Sequence, residues 1–139
     1  MTISTRMLLL VVAILVAACA ALPGKVPPDD RSVLSGTITY RPRIALTPEA
    51  VVRVWLQDMS DPRSPVPVIV DMQTIRKPGQ VPIAYALRYD PAKIVAQRRY
   101  TLLVKIYEGD RTRFVNAKPV DVLTRGCKAN CEIVVDFMN

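Results

Sequence analysis

The chain has 139 residues, with 19 Lys+Arg against 12 Asp+Glu for a formal charge of +7, five glycines, three cysteines and no histidine. Without histidine the commonest serine and cysteine hydrolase designs, which use imidazole as base, are excluded. No phosphate-cradling glycine loop and no dinucleotide fingerprint occurs.

The N-terminus reads as an export signal: one positive charge at Arg6, an apolar core from Met7 to Val16, then small residues. Val16-Ala17-Ala18-Cys19 is the pattern that bacterial signal peptidases read before a lipidated cysteine. Residues 1–18 are therefore expected to be a lipoprotein signal peptide, with Cys19 as first mature residue and lipidation site. Each buried methylene contributes about 0.8 kcal/mol, so two or more acyl chains hold a protein stably on a bilayer. The rival readings are weaker. Met7 to Leu22 is 16 residues, short of the roughly 20 that a spanning helix needs, and Pro23-Gly24 follows at once. A plain signal peptide cut around Ala18-Cys19-Ala20 would leave the position of Cys19 as a coincidence. Ala20 is not the aspartate associated with inner-membrane retention, which favours the periplasmic face of the outer membrane.

Cleavage leaves residues 19–139, the length of one domain, and removes only Arg6 from the charge count, so +6 belongs to the mature chain. That balance suits anionic lipid head groups or an acidic protein partner, besides plain solubility, and export takes the chain away from nucleic acid. Residues 19–31 are rich in proline and polar groups and are expected to form a lipidated tether, with a domain over 32–139.

Along that domain apolar and polar residues alternate with period two, and no long stretch repeats every 3.6 residues. Val33 to Tyr40 is the first expected strand; Val52, Val54 and Leu56 define a second, and Val66 to Ile75 a third. Trp55 lies out of phase with its neighbours; it is either exposed on an outer face or, by a register shift, core, and core is the expectation. Val81, Ile83, Tyr85, Leu87 and Tyr89 form a fourth set, with Pro82 tolerable only near a strand start or edge. Ala92 to Gln97 has room for one helical turn. Tyr100, Leu102, Val104 and Ile106 make an apolar face opposite Thr101, Leu103, Lys105 and Tyr107. Glu108-Gly109-Asp110 then turns the chain into a hairpin whose second arm is Arg111 to Ala117. Val120 to Leu123 and Glu132 to Phe137 complete seven or eight short antiparallel strands. The expectation is an all-β, single-domain β-sandwich, Ig-like or a partly closed barrel.

Little in the sequence points to chemistry. Asp58, Asp61, Asp71 and Asp90 all sit in or near turns, where aspartate caps backbone amides, and a catalytic carboxylate pair is not expected. With Cys19 assigned to lipid, Cys127 and Cys131 remain, spaced C-x-x-x-C. In an oxidising compartment a structural disulfide is the leading reading. Free thiols, a metal site and a redox pair are the alternatives, the last two short of ligands and of a C-x-x-C helix start. No metal and no cofactor is expected. With Phe114 inward, Lys105, Tyr107, Arg111 and Arg113 would form an outward basic face with one aromatic, a candidate binding face or simply a solvated strand edge.

Several segments, taken together and in order, carry a resemblance. Gly36-Thr-Ile-Thr-Tyr40, Ile44-Ala-Leu-Thr-Pro-Glu-Ala50, Val54-Trp-Leu-Gln-Asp58, Gly79-Gln-Val-Pro-Ile83 and Tyr85-Ala-Leu-Arg-Tyr-Asp90 resemble the YscW/YbaY-type lipoproteins over residues 35 to about 123. The resemblance implies a β-sandwich lipoprotein domain. It also implies a pilotin-like chaperone that carries an outer-membrane or secretion-system client, or else an envelope lipoprotein linked to polysaccharide. It brings no catalytic motif, and the Cys127/Cys131 pair departs from the family pattern. The expected function is a non-enzymatic binding module anchored to the membrane through Cys19. The alternative is a structural or glycan-binding envelope lipoprotein.

Overall fold

Alternating side chains put one face of a strand indoors and the other in water, and two such faces must meet to make a core. The structure is a computed structural model that describes residues 29–139; Cys19, the signal segment and the tether through Pro28 lie outside the described residues. Nine strands follow in chain order: β1 Ser32–Thr39, β2 Val51–Asp58, β3 Val68–Arg76, β4 Ile83–Tyr89, β5 Tyr100–Glu108, β6 Arg111–Val115, β7 Val120–Val122, β8 Cys131–Val134 and β9 Asp136–Phe137. They form a β-sandwich of two unequal sheets, one ordered β4-β1-β8 and the other β3-β2-β5-β6-β9 with β7 also paired to β5. The sheets do not close into a barrel.

The core lies where the two inner faces meet. Leu34 and Ile38 of β1, Ile83 and Leu87 of β4 and Ile133 of β8 face Val52, Val54 and Leu56 of β2, Leu102, Val104 and Ile106 of β5, and Phe114 of β6. All are buried. Each such side chain contributes about 1.5–3 kcal/mol by leaving water.

Differences from the sequence expectation have local causes. Every pairing between these nine strands is antiparallel except β1 with β8, which is parallel. The run expected as one strand from Glu132 to Phe137 divides at Val135, so β8 joins the small sheet and β9 the large one. In place of a turn over 92–97 there is a 3-10 turn at Pro91–Lys93, started by Asp90, whose carboxylate accepts from the Ala92 amide at 2.9 Å. Trp55 is not core. The bulge in the β2–β3 pairing falls after it, between Leu56 and Gln57, so the alternation is unbroken at Trp55 and its ring stays half-buried on the outer face.

Two polar devices hold the small sheet and the strand ends. In the small sheet Gly36 of β1 stands between Tyr85 of β4 and Cys131 of β8. A Cβ at Gly36 would lie 1.9 Å from the Cys131 carbonyl oxygen, so only glycine lets β8 approach. Across that vacant space the Tyr85 hydroxyl donates to the same oxygen at 2.9 Å, tying all three strands together. Burial pushes the Tyr85 phenol up to about 12.

In the large sheet β6 ends at Val115 because Asn116 takes over the edge of β5 with its side chain. Its Oδ1 accepts from the Val104 amide at 2.7 Å. Its Nδ2 donates to the Leu102 carbonyl at 3.1 Å and to the Lys118 carbonyl at 2.8 Å. The amide thus bridges the gap in the ladder between β6 and β7, and it is 5% exposed.

Asn116→Ala strands a buried N–H and a buried C=O on β5, and its expected cost is about 2–4 kcal/mol. A lowered urea midpoint at unchanged slope is the measurement. Asn116→Asp is expected not to restore stability, since a carboxylate has no donor for Leu102. For Tyr85, an unfolded chain ionises the phenol near 10 whereas the folded state holds its proton to about 12. Its contribution is therefore complete below pH 10 and lost as pH rises from 10 to 12. Unfolding free energy should fall by up to about 2–3 kcal/mol over that window, with a shallower decline in Tyr85→Phe.

Candidate functional site

A three-stranded sheet cannot cover the inner face of a wider one, and β3 is the strand left over. Ile75, its inward residue opposite Val52, still packs on the core, but the next two inward positions, Gln73 opposite Val54 and Asp71 opposite Leu56, are polar. They reach the free edge of β4 instead of a core: Asp71 Oδ2 accepts from the Arg88 amide at 2.7 Å and Gln73 Oε1 from the Ala86 amide at 2.8 Å. These bonds satisfy edge amides that would otherwise template another chain.

Beyond Asp71 the strand has no such cover. Val66, Val68, Ile69 and Val70 are 68%, 65%, 47% and 37% exposed, a run of apolar side chains that folding leaves in water. Of these, Val66, Val68 and Val70 lie along two clefts while Ile69 faces the outer side, and an exposed apolar patch of this kind marks an interaction site. One cleft, of about 690 Å³, lies under the β2–β3 loop and is lined by Met59, Pro62, Pro65, Val66 and Val68. The other, of about 380 Å³, opens between β3 and the end of β4, where Val68, Val70 and Tyr89 meet Arg31 and Arg88. Val68, Asp58 and Arg98 line both.

The loop is held by polar bonds, so the apolar groups it presents are fixed. The Met59 amide donates to the Arg99 carbonyl at 2.8 Å, the Arg99 amide to Ser60 Oγ at 2.8 Å, and the Arg63 amide to Asp61 Oδ1 at 2.9 Å. Asp58 accepts from the Ser60 amide at 3.0 Å and pairs with Arg98 at 3.0 Å. Partial burial opposes its ionisation, but these bonds outweigh it and hold the carboxyl below its ordinary range. Of the aspartates expected in or near turns, Asp71 lies instead within β3, and Asp58, Asp61, Asp71 and Asp90 are all spent on backbone amides. Among the described residues no three His, Cys, Asp or Glu side chains cluster as a metal site.

The basic face expected from the sequence is only partly assembled. Lys105 and Tyr107 do share the outer face of the large sheet, where Arg53 of β2 stands opposite Lys105 and its guanidinium lies 5.4 Å from the Tyr107 ring centre. The β5–β6 hairpin carries a bulge between Ile106 and Tyr107, so Thr112 faces Tyr107 and Arg111 faces Glu108. Arg113 pairs with Glu108 at 2.9 Å and stacks on Phe137 at 4.8 Å, away from Lys105 and Tyr107. Arg53 was not anticipated; its odd-position phase with Trp55 was the available signal. Cys127 and Cys131 are joined by a disulfide with a Cα–Cα distance of 5.8 Å, which closes the loop before β8.

Residues 29–135 match the model of the type III secretion system lipoprotein chaperone (YscW) family. The chain belongs to this family. It is also 28% identical to the uncharacterized lipoprotein YbaY of Escherichia coli K12, over 90% of this chain and 75% of that protein. An alternative pilotin from the type II secretion system of Vibrio cholerae has the same fold: TM-score 0.67 and 29% identity, covering 78% of this chain and 99% of that one. The YscW match spans all of β1 to β8, so the β3 surface lies within the family's domain.

Because Val68 and Ile69 contribute little burial, Val68→Glu and Ile69→Glu are expected to change unfolding free energy by no more than about 0.5 kcal/mol. Leu56→Ala, 0% exposed on the neighbouring strand, is expected to cost about 2–5 kcal/mol. Urea denaturation of the three variants checks both.

Proposed function

We propose that this chain is an outer-membrane lipoprotein, cut before Cys19, lipidated there and held on the periplasmic face, that acts without catalysis as a pilotin-like chaperone for an envelope client. The observation that supports it is the exposed apolar run Val66–Val70 between two clefts, in a member of a lipoprotein chaperone family. An extended or amphipathic client segment would bury those side chains against Met59 and the loop prolines. Lipid on Cys19 supplies localisation, the tether reach, and the β3 flank recognition. In this reading the client is an outer-membrane or secretion-system protein.

The smaller cleft gives a second reading some support, since Tyr89, Tyr100 and three aspartates line it as a glycan site would require. Those aspartates already accept backbone or arginine hydrogen bonds and Tyr100 is 2% exposed, so few groups remain for sugar hydroxyls. The chaperone reading is therefore preferred.

A crosslinking pulldown from membranes tests it, with bound proteins identified by mass spectrometry. The native lipoprotein should enrich a defined outer-membrane client. Val68→Glu/Val70→Glu should stay on membranes and lose that client, and Cys19→Ala should leave the membrane fraction and lower the client's delivery to the outer membrane. A client retained undiminished by the double β3 variant would sink the assigned site. Unchanged client delivery with Cys19→Ala would sink the chaperone role.

A further inference from the structure

The outer face of the large sheet is a second surface, on the other side of β3 from the clefts and bordered by Ile69, and the strand registers fix its layout. One row across β3, β2 and β5 is Met72, Trp55 and Leu103; the next is Thr74, Arg53 and Lys105; the third is Arg76, Val51 and Tyr107. Successive rows are about 6.6 Å apart, two residues along a strand. Across these nine positions the only charges are positive: Arg53, Arg76 and Lys105, none of which has an ion-pair partner among the described residues. The carboxylates of the same strands, Asp58, Asp71 and Glu108, hold the even-numbered inward positions of the β2 and β5 registers or their partners. Asp136, on β9 beside Val115, lies beyond β6 at the far side.

Segregation of this kind suits an anionic partner, and two observations select a bilayer surface over an acidic protein segment. None of its nine residues lines the two clefts at β3 or the pockets beside Ile94 and Phe137, whereas helix-docking sites are grooves. Its aromatics, Trp55 and Tyr107, are half-buried, each with an exposed margin, as at a membrane–water interface, and cations flank them.

We propose that the outer face of β3, β2 and β5 lies against an anionic lipid bilayer, with Arg53, Arg76 and Lys105 at the head groups and Trp55 and Met72 at the interface. The contact is made by the folded domain itself and does not rest on acylation. Its failure and that of the chaperone reading are therefore separable.

The test uses residues Ala20–Asn139, which contain every strand and the whole described core, exported so that the Cys127–Cys131 bridge forms, and without an acyl chain. The probes are vesicles of phosphatidylcholine alone and of phosphatidylcholine with phosphatidylglycerol. Trp55 is the single tryptophan, so its fluorescence reports directly from the face. Mixed vesicles should bind, shift Trp55 emission to the blue and release the protein in high salt. Arg53→Glu/Lys105→Glu should lower partitioning about ten-fold or more. Arg125→Glu/Lys128→Glu, with the same net charge but on the β7–β8 crossing, should bind nearly as well as the parent. Equal binding to neutral and anionic vesicles, an unshifted Trp55 spectrum, or equal losses in the two double variants would overturn the proposal. So would binding to soluble polyglutamate as tight as to mixed vesicles, which would assign the face to an acidic protein.

Discussion

The inequality of the two sheets governs this molecule. Three strands, β4-β1-β8, are laid over a sheet that runs β3-β2-β5-β6-β9, and the narrow layer covers only the middle of the wide one. Apolar side chains are profitable at inward positions only where a second layer meets them. β2 and β5 therefore carry Val, Leu and Ile inward, while β3, at the rim, keeps only Ile75 against the core and carries Gln73 and Asp71 at the next two inward places. What would be a defect in a symmetric sandwich becomes a clasp, because those side chains reach the unpaired amides of β4. The open seam between the sheets is closed by side chains where a barrel would close it by backbone.

The same economy appears wherever a ladder is interrupted. β5 needs two partners in succession along one edge, β6 and then β7, and the chain between them cannot pair while it turns. Asn116 supplies a donor and an acceptor with the geometry of a peptide group and fills the break. Tyr85 does comparable work in the small sheet, spanning glycine to reach β8. In both places one side chain replaces ladder bonds, and in both the group is buried, where an unmade bond is costly.

How legible all this was in the sequence depends on the range of the interaction. Period-two alternation is local, and it located β1, β2, β4 and β5 to within a residue or two and put Val52, Val54, Leu56, Tyr100, Leu102, Val104 and Ile106 on the inner face. Pairing is not local. The bulge that turns Arg113 toward Glu108, and the one that follows Trp55 instead of preceding it, belong to pairs of strands and leave no mark on either strand alone. Asn116 in Asn116-Ala117-Lys118-Pro119 has the composition of an ordinary turn, and its ladder role exists only once β5 lies beside it. The apolar run Val66–Val70 was read as strand, but nothing in its own sequence tells that the opposite layer stops short of it.

β3 is where the two surfaces of the molecule share a border. Its outward side chains Met72, Thr74 and Arg76 belong to the basic face, while Val66, Val68 and Val70 belong to the clefts at its other end. Arg31, near the start of the described chain, lines the smaller cleft with Val70 and Asp71, on the inward side of this strand. A domain resting on lipid through Arg53 and Lys105 would hold the cleft end of β3 close to the bilayer and still open from the side. A client segment received there would already lie near the membrane it is to enter. Orientation then adds to tethering: an acyl chain alone confines the domain to a shell of tether length, whereas a seated face fixes which way the clefts point, and such pre-organisation lowers the ordering cost of capture.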